Sequence, residues 1–440
     1  MGLLQQALVM DPDFALAHAW VATGYVFLVE AGVEWQTVRD VTFASAEKAV
    51  ELAPGEAESS LALGLTYFRD RQPSLATQYL DRAIELDANN IVALTLGAQV
   101  ATWHGEAEKA YSLRRQALLL NPLDPQANVT LAWSLLQLGD GDQALKHVER
   151  AIELDPSAIT HFLVANFHWL AGDHFRAAQA MLTAHETDPT NLQYLTGMTL
   201  LFHWLGDTET AWDWLSKAEA VSPNHEDIWI LKLDLLASEE RYEESGKTIS
   251  DWAAHNPASL NLRRYQAGRL QRLAREAYKE ERVQEAAELN QQAFELVRES
   301  AERLRGGGGR LVADFQTSWT VLTCVVAAKT AGDETAFEEG KAALETLYAS
   351  RGSFGWEGFQ LAVTESLSGN RDQALALLRE TPGSGFNAVW ILDSLEDDPY
   401  GHTDGVSDDL AYRQVKSELL AQNQATLVRL REELPSAFTP

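Results

Sequence analysis

A single cysteine, Cys324, is all that the 440 residues contain. It excludes an internal disulfide framework and fits a reducing compartment, so a cytoplasmic protein is expected. Basic residues are scarce as well: 35 Lys and Arg stand against 64 Asp and Glu, for a formal net charge of −29. Nucleic acid and anionic membrane surfaces both demand clustered cations, so neither is an expected partner. No run of 18 apolar residues occurs, which leaves no candidate membrane span. The opening MGLLQQALVMDPD lacks the basic start of a secretory signal. The eleven histidines are scattered, with neither H-E-x-x-H nor a tight His/Cys group, so no metal and no cofactor are expected. G-x-S-x-G is missing, and the acidic loop 396–409 departs from calcium-loop spacing. Cys324 sits in the apolar stretch VLTCVVAA and reads as core rather than as a nucleophile. No catalytic residue is nominated, and the chain is not expected to be an enzyme.

What the sequence has in abundance is repetition. A helix-ending signal returns at Pro54, Ala88, Pro122, Pro156, Pro189, Pro223 and Pro257, in steps of 34, 34, 34, 33, 34 and 34 residues. A fixed period near 34 means one supersecondary unit stacked on copies of itself. Five residues before each stop lies Ala49, Ala83, Ala117, Ala151, Ala184 or Ala218, with Trp252 the exception. Most repeats carry a central glycine with alanine five residues on: Gly105/Ala110, Gly139/Ala144, Gly172/Ala177 and Gly206/Ala211. Glycine ends a helix in the left-handed conformation at little cost. The alanine then opens a second helix without bulk to hold the pair apart. Each repeat is therefore two antiparallel helices.

These residues resemble the tetratricopeptide repeat, whose pattern runs W-x2-L-G-x2-Y, A-x3-F, then P. Residues 55–88 give Ser60-x2-Leu63-Gly64-x2-Tyr67, Ala76-x3-Leu80, Ala83 and Ala88. Residues 123–156 give Leu131-Ala132-x2-Leu135, Ala144-x3-Val148, Ala151 and Pro156. The resemblance implies an all-α, right-handed superhelical solenoid of antiparallel helix pairs with a degenerate C-terminal part. Residues 1–156 also resemble the first such repeats of bacterial signalling proteins, where the array follows a class III nucleotide cyclase or a winged-helix domain.

Along the chain, residues 1–12 read as a partial repeat, with Ala7 and Pro12 in the relation of Ala83 and Ala88. A chain cut from a longer protein is expected from this, with a short natural cap helix as the alternative. Residues 13–257 form the regular array, and 258–305 a degenerate long helix pair. Gly306–Gly309 read as a flexible joint, since no Lys-Ser/Thr follows to make a phosphate loop. Residues 310–440 are a degenerate helical region closed by a charged cap helix.

In the family resembled, first helices line a concave groove. That implies a wall of Leu65, Phe68, Gln99, Trp103, Val129, Trp133, Phe162, Asn166, Trp169, Leu200, His203 and Trp204. Only Asn166 matches the family's carboxylate-binding set in kind, so a carboxylate clamp is not expected. Phe68, Trp103, Trp133, Phe162, Asn166, Trp169, His203 and Trp204 are the candidate partner-binding residues, fitted to an apolar or amphipathic peptide. Plain packing between repeats is the competing reading of the same rings. Arg264, Arg272 and Arg275 form a second candidate, for an anionic partner, against the reading that they pair with Glu276, Glu280, Glu281 and the neighbouring acidic repeats. The expected function is a protein-interaction scaffold with a protein or peptide partner. The alternative is a solenoid that senses a small molecule or forms a homodimer to control an effector domain.

Overall fold

The computed structural model describes residues 2–30, 33, 35–70, 72–304, 315–351, 356–380, 406 and 409–438. Among them every regular element is helical. The first helices in order are α1 (Gly2–Met10), α2 (Ala15–Glu30), α3 (Trp35–Leu52), α4 (Ala57–Arg69), α5 (Pro73–Leu86), α6 (Ile91–Trp103), α7 (Ala107–Leu120), α8 (Pro125–Gln137) and α9 (Gly141–Leu154). The next are α10 (Ala158–Leu170), α11 (His174–Thr187), α12 (Leu192–Leu205), α13 (Thr208–Val221), α14 (Glu226–Ser238) and α15 (Tyr242–His255). Two longer helices follow, α16 (Leu260–Lys279) and α17 (Val283–Leu304). Then come α18 (Phe315–Ala331), α19 (Glu334–Arg351), α20 (Trp356–Leu367), α21 (Arg371–Glu380) and α22 (Leu410–Glu433), with a short 3-10 turn at Pro435–Phe438. The Gly306–Gly309 stretch and most of the acidic loop 396–409 lie outside the described residues.

The chain forms two compact units, one built on Met1–Ala144 and the other on Leu145–Glu302 with Phe315–Pro440. Local chemistry sets the helix ends in both. Asn90 and Asp124 cap α6 and α8 by accepting backbone N–H bonds from Ala93 (3.0 Å) and Gln126 (2.9 Å). Such caps satisfy donors that a helix start would otherwise leave open. Inside the pairs, Gly139 and Gly206 turn the chain at φ +82° and +84°. In the pair α14/α15 that place falls to Glu240, which takes φ +56° without glycine's freedom.

Small residues carry the close packing. Ala62, Ala76, Ala83, Ala98, Ala110, Ala132 and Ala144 are fully buried in the first unit, and Ala165, Ala177, Ala184, Ala211 and Ala218 in the second. Gly64 is tighter still: a Cβ there would lie 2.9 Å from Leu80 Cγ and 3.1 Å from its backbone nitrogen. This is why the glycine of the repeat pattern stands at that point. At the other extreme α1 buries none of its side chains, and its Leu3, Val9 and Met10 are more than four-fifths exposed.

The second unit departs from the expectation of a simple capping helix. α22 packs on α21, and also on α11 and α12, some 220 positions earlier. Asn423 Nδ2 donates to the Trp204 carbonyl oxygen at 3.1 Å, and Trp214 Nε1 donates to the Ala437 carbonyl oxygen at 2.8 Å. Phe438 meets Phe202 edge to face at 5.0 Å, and Arg431 pairs with Asp207 at 3.1 Å. The Arg429 guanidinium lies 3.6 Å from the Phe175 ring centroid. Successive packing of α12 on α14, α15 on α16, α16 on α18, α18 on α20 and α21 on α22 completes a circuit within this unit.

Candidate partner-binding face

In the first unit, Phe68 is half-buried on α4 and packs beside the core of Ala76, Leu80 and Val100. Tyr67 stacks on Tyr79 at 5.6 Å and meets Phe43 at 5.3 Å, so the rings here brace neighbouring helices. Trp133 is half-buried on α8, with its Nε1–H sealed from solvent and without an acceptor among the described residues. Trp103 ends α6, and its side chain lies outside the described residues. Leu65 and Val129 are interior, at 5% and 0% exposure, and so do not line an open wall.

In the second unit, Phe162, Asn166 and Trp169 follow one another along α10 at helical spacing, and all three are half-buried. Phe162 contacts Tyr194 at 5.4 Å, and Trp169 meets Trp204 edge to face at 5.2 Å. Each ring thus braces the next helix with part of its surface and leaves the rest open. His203 and Trp204 differ: at 1% and 4% exposure they are interior residues. Their expected place on an open wall is corrected here, because α22 closes over the end of α12 and Trp204 is engaged by Trp169. Burial lowers the His203 pKa to about 4, against a weak opposing pull from Glu239.

The arginine candidates are occupied by their own chain. Arg264 lies over the Tyr265 ring at 4.5 Å and donates to the Tyr265 hydroxyl at 2.9 Å. That hydroxyl in turn donates to Asp234 Oδ1 at 2.7 Å. Burial raises the Asp234 pKa, while Arg264 and the tyrosine bond oppose the shift. Arg272 pairs with Glu276 and lies 4.5 Å from the Tyr242 ring centroid. Arg275 is half-buried on the same helix. Among the described residues no group of three or more His, Cys, Asp or Glu is placed to hold a metal ion.

A buried polar pair stands apart from the rings. Arg114 on α7, 5% exposed, donates through Nη1 to Ser134 Oγ on α8 at 2.6 Å. Its signal was present in the repeat register: it occupies the last position of Ala110-x3-Arg114, where Leu80 and Val148 stand in the repeats quoted above.

Models of the family described as "Tetratricopeptide repeat" match residues 57–90, 106–158 and 129–191. The Transcriptional regulator HilA of Salmonella typhimurium is 28% identical over 138 residues, covering 30% of this chain and 25% of that protein. Anaphase-promoting complex subunit 3 of Schizosaccharomyces pombe is 31% identical over 112 residues, covering 26% of this chain and 17% of that protein. The chain therefore spans a quarter or less of the length of these curated relatives. A solved structure of Pseudomonas aeruginosa pilF is similar at TM-score 0.37 and 19% identity, over 50% of this chain and 97% of that one. With the period, the paired helices and the matched stretches in agreement, residues 57–90 and 106–191 carry tetratricopeptide repeats, and among the described residues every regular element is helical.

Proposed function

We propose that this chain is a non-enzymatic scaffold of a cytoplasmic regulatory protein, and that it holds an apolar or amphipathic peptide segment against first-helix faces. The observation that carries this reading is the half-open stripe Phe162, Asn166 and Trp169 on α10. Rings offer large contact area at small entropic cost, and the amide between them can pair with a peptide backbone. Phe68 and Trp133 are the corresponding rings of the first unit. The regulatory context is supported by the likeness to HilA over 138 residues. The test is selection of a random peptide display library on the immobilised full chain. Apolar or amphipathic sequences are expected, with binding reduced at least about tenfold in a Phe162→Ala, Asn166→Ala double variant. Undiminished binding in that variant, with helicity unchanged, removes α10 from the site.

Self-association is a second reading, favoured by the outward Leu3, Val9 and Met10 of α1. Light scattering on the full chain checks it. A dimer that falls to monomer with Leu3→Glu and Met10→Glu supports it, and a monomer at all concentrations ends it.

A further inference from the structure

Four repeats share a register that can be counted from Gly105, Gly139, Gly172 and Gly206. Nine residues after each glycine stand Arg114, Val148, Met181 and Leu215; five residues before each stand Val100, Ser134, Phe167 and Leu201. All eight positions are buried, and only Arg114 and Ser134 are polar. Both departures from the apolar rule fall side by side, on adjoining helices of one unit, and they touch at 2.6 Å.

Neither side chain has another hydrogen-bond or ion-pair partner among the described residues. A guanidinium carries five N–H donors and no acceptor, and here one of them is used. Ser134 Oγ accepts that bond, so its own hydrogen is a further donor without an acceptor among the described residues. Burial lowers the Arg114 pKa to about 10, which still leaves the group charged at neutral pH. No carboxylate offsets that burial, although buried charges are ordinarily paired. A fully packed repeat would have kept an apolar residue, as the other three do.

We infer that Arg114 and Ser134 form a binding anchor for an oxyanion, a carboxylate carried by a ligand of this chain. Neighbouring donors without an acceptor call for one, and a planar guanidinium fork fits a carboxylate through two parallel bonds. The cation of this anchor lies on a second helix, α7, with Ser134 on the first helix α8 that follows it, whereas the family resembled holds a peptide carboxylate by first-helix residues alone. It is also independent of the peptide reading above, because a free acid can test it.

The experiment has two arms on the full chain. In the first, melting is followed by circular dichroism with succinate against sodium chloride of equal ionic strength. In the second, peptides are selected from a random display library and scored for Asp or Glu at one fixed position. A wild-type rise of about 2–4 °C with succinate assigns the site to free acids. Acidic enrichment without that rise assigns it to a peptide side chain or terminus. Either response must disappear in Arg114→Met and weaken several-fold in Ser134→Ala, which keeps the cation and opens little space. Without anion, Arg114→Met is expected to melt no lower than wild type, because an apolar residue restores the rule of the other repeats. Failure of both wild-type responses overturns the inference, and so does a response of equal size in the two variants.

Discussion

The indole nitrogen of Trp214 donates to the backbone oxygen of Ala437, 223 positions further along, at 2.8 Å. Trp214 is fully buried, so this bond has no water to replace it. Trp214→Phe keeps a ring of similar shape and leaves the Ala437 carbonyl without its donor. A loss of about 1–3 kcal/mol is expected in urea unfolding. An unchanged midpoint means that the C-terminal turn is not held by this bond.

Glu240 takes φ +56° at the place where other pairs have glycine. The left-handed conformation costs an ordinary residue roughly 1–2 kcal/mol, while glycine adds back some unfolded-state entropy. Glu240→Gly should therefore stabilise the chain by about 0.5–1 kcal/mol. Melting of that variant beside Gly206→Ala, which should fall, checks both signs.

Gly64 meets Leu80 too closely to admit a methyl group. Because one contact is to the Leu80 backbone nitrogen, rotation of a side chain cannot relieve it. Gly64→Ala is expected to cost about 1–3 kcal/mol, read as a lower urea midpoint with the slope unchanged. A midpoint equal to wild type disproves the close approach of α4 and α5.

His203 supplies a pH dependence. Its folded pKa, about 4, lies below the ordinary histidine value of 6.5, so the unfolded chain binds the proton more readily. Its contribution is fully present above pH 6.5 and is lost as pH falls towards 4. Between pH 7.5 and 5.5 the chain should lose roughly 1 kcal/mol through this group. His168 and His185, also lowered by burial, act with the same sign. Unfolding midpoints at the two pH values check it, with His203→Gln expected to flatten the difference. Equal slopes in both proteins place the titration elsewhere.

The sequence announced its helix pairs because their signals are local. Gly139, Asp124 and Pro125 act within a few residues of where they stand, and a step of 34 repeats them. The half-open stripe on α10 was legible for the same reason, since Phe162, Asn166 and Trp169 share a face by helical spacing alone. His203 and Trp204 were misjudged because the end of α12 is closed by other helices: Trp169 of α10 meets the Trp204 ring, and Asn423 of α22 donates to the Trp204 carbonyl oxygen. Contacts over some 220 positions leave no trace in a window of one repeat. The arginines of α16 were half legible: Arg272 with Glu276 is a helical neighbour pair, whereas Arg264 depends on Asp234 from another helix. Arg114 was visible as a broken rule, and only its contact with Ser134 gave the break a meaning.

The circuit that α22 completes has a mechanical consequence. An open row of stacked helix pairs bends and twists like a spring, since each pair touches only its neighbours. Tying the last helix to pairs much earlier in the row removes that freedom and fixes the curvature in advance. Were a ligand to bind the second unit, it would meet a surface whose shape is already set and would spend little of its affinity on bending it.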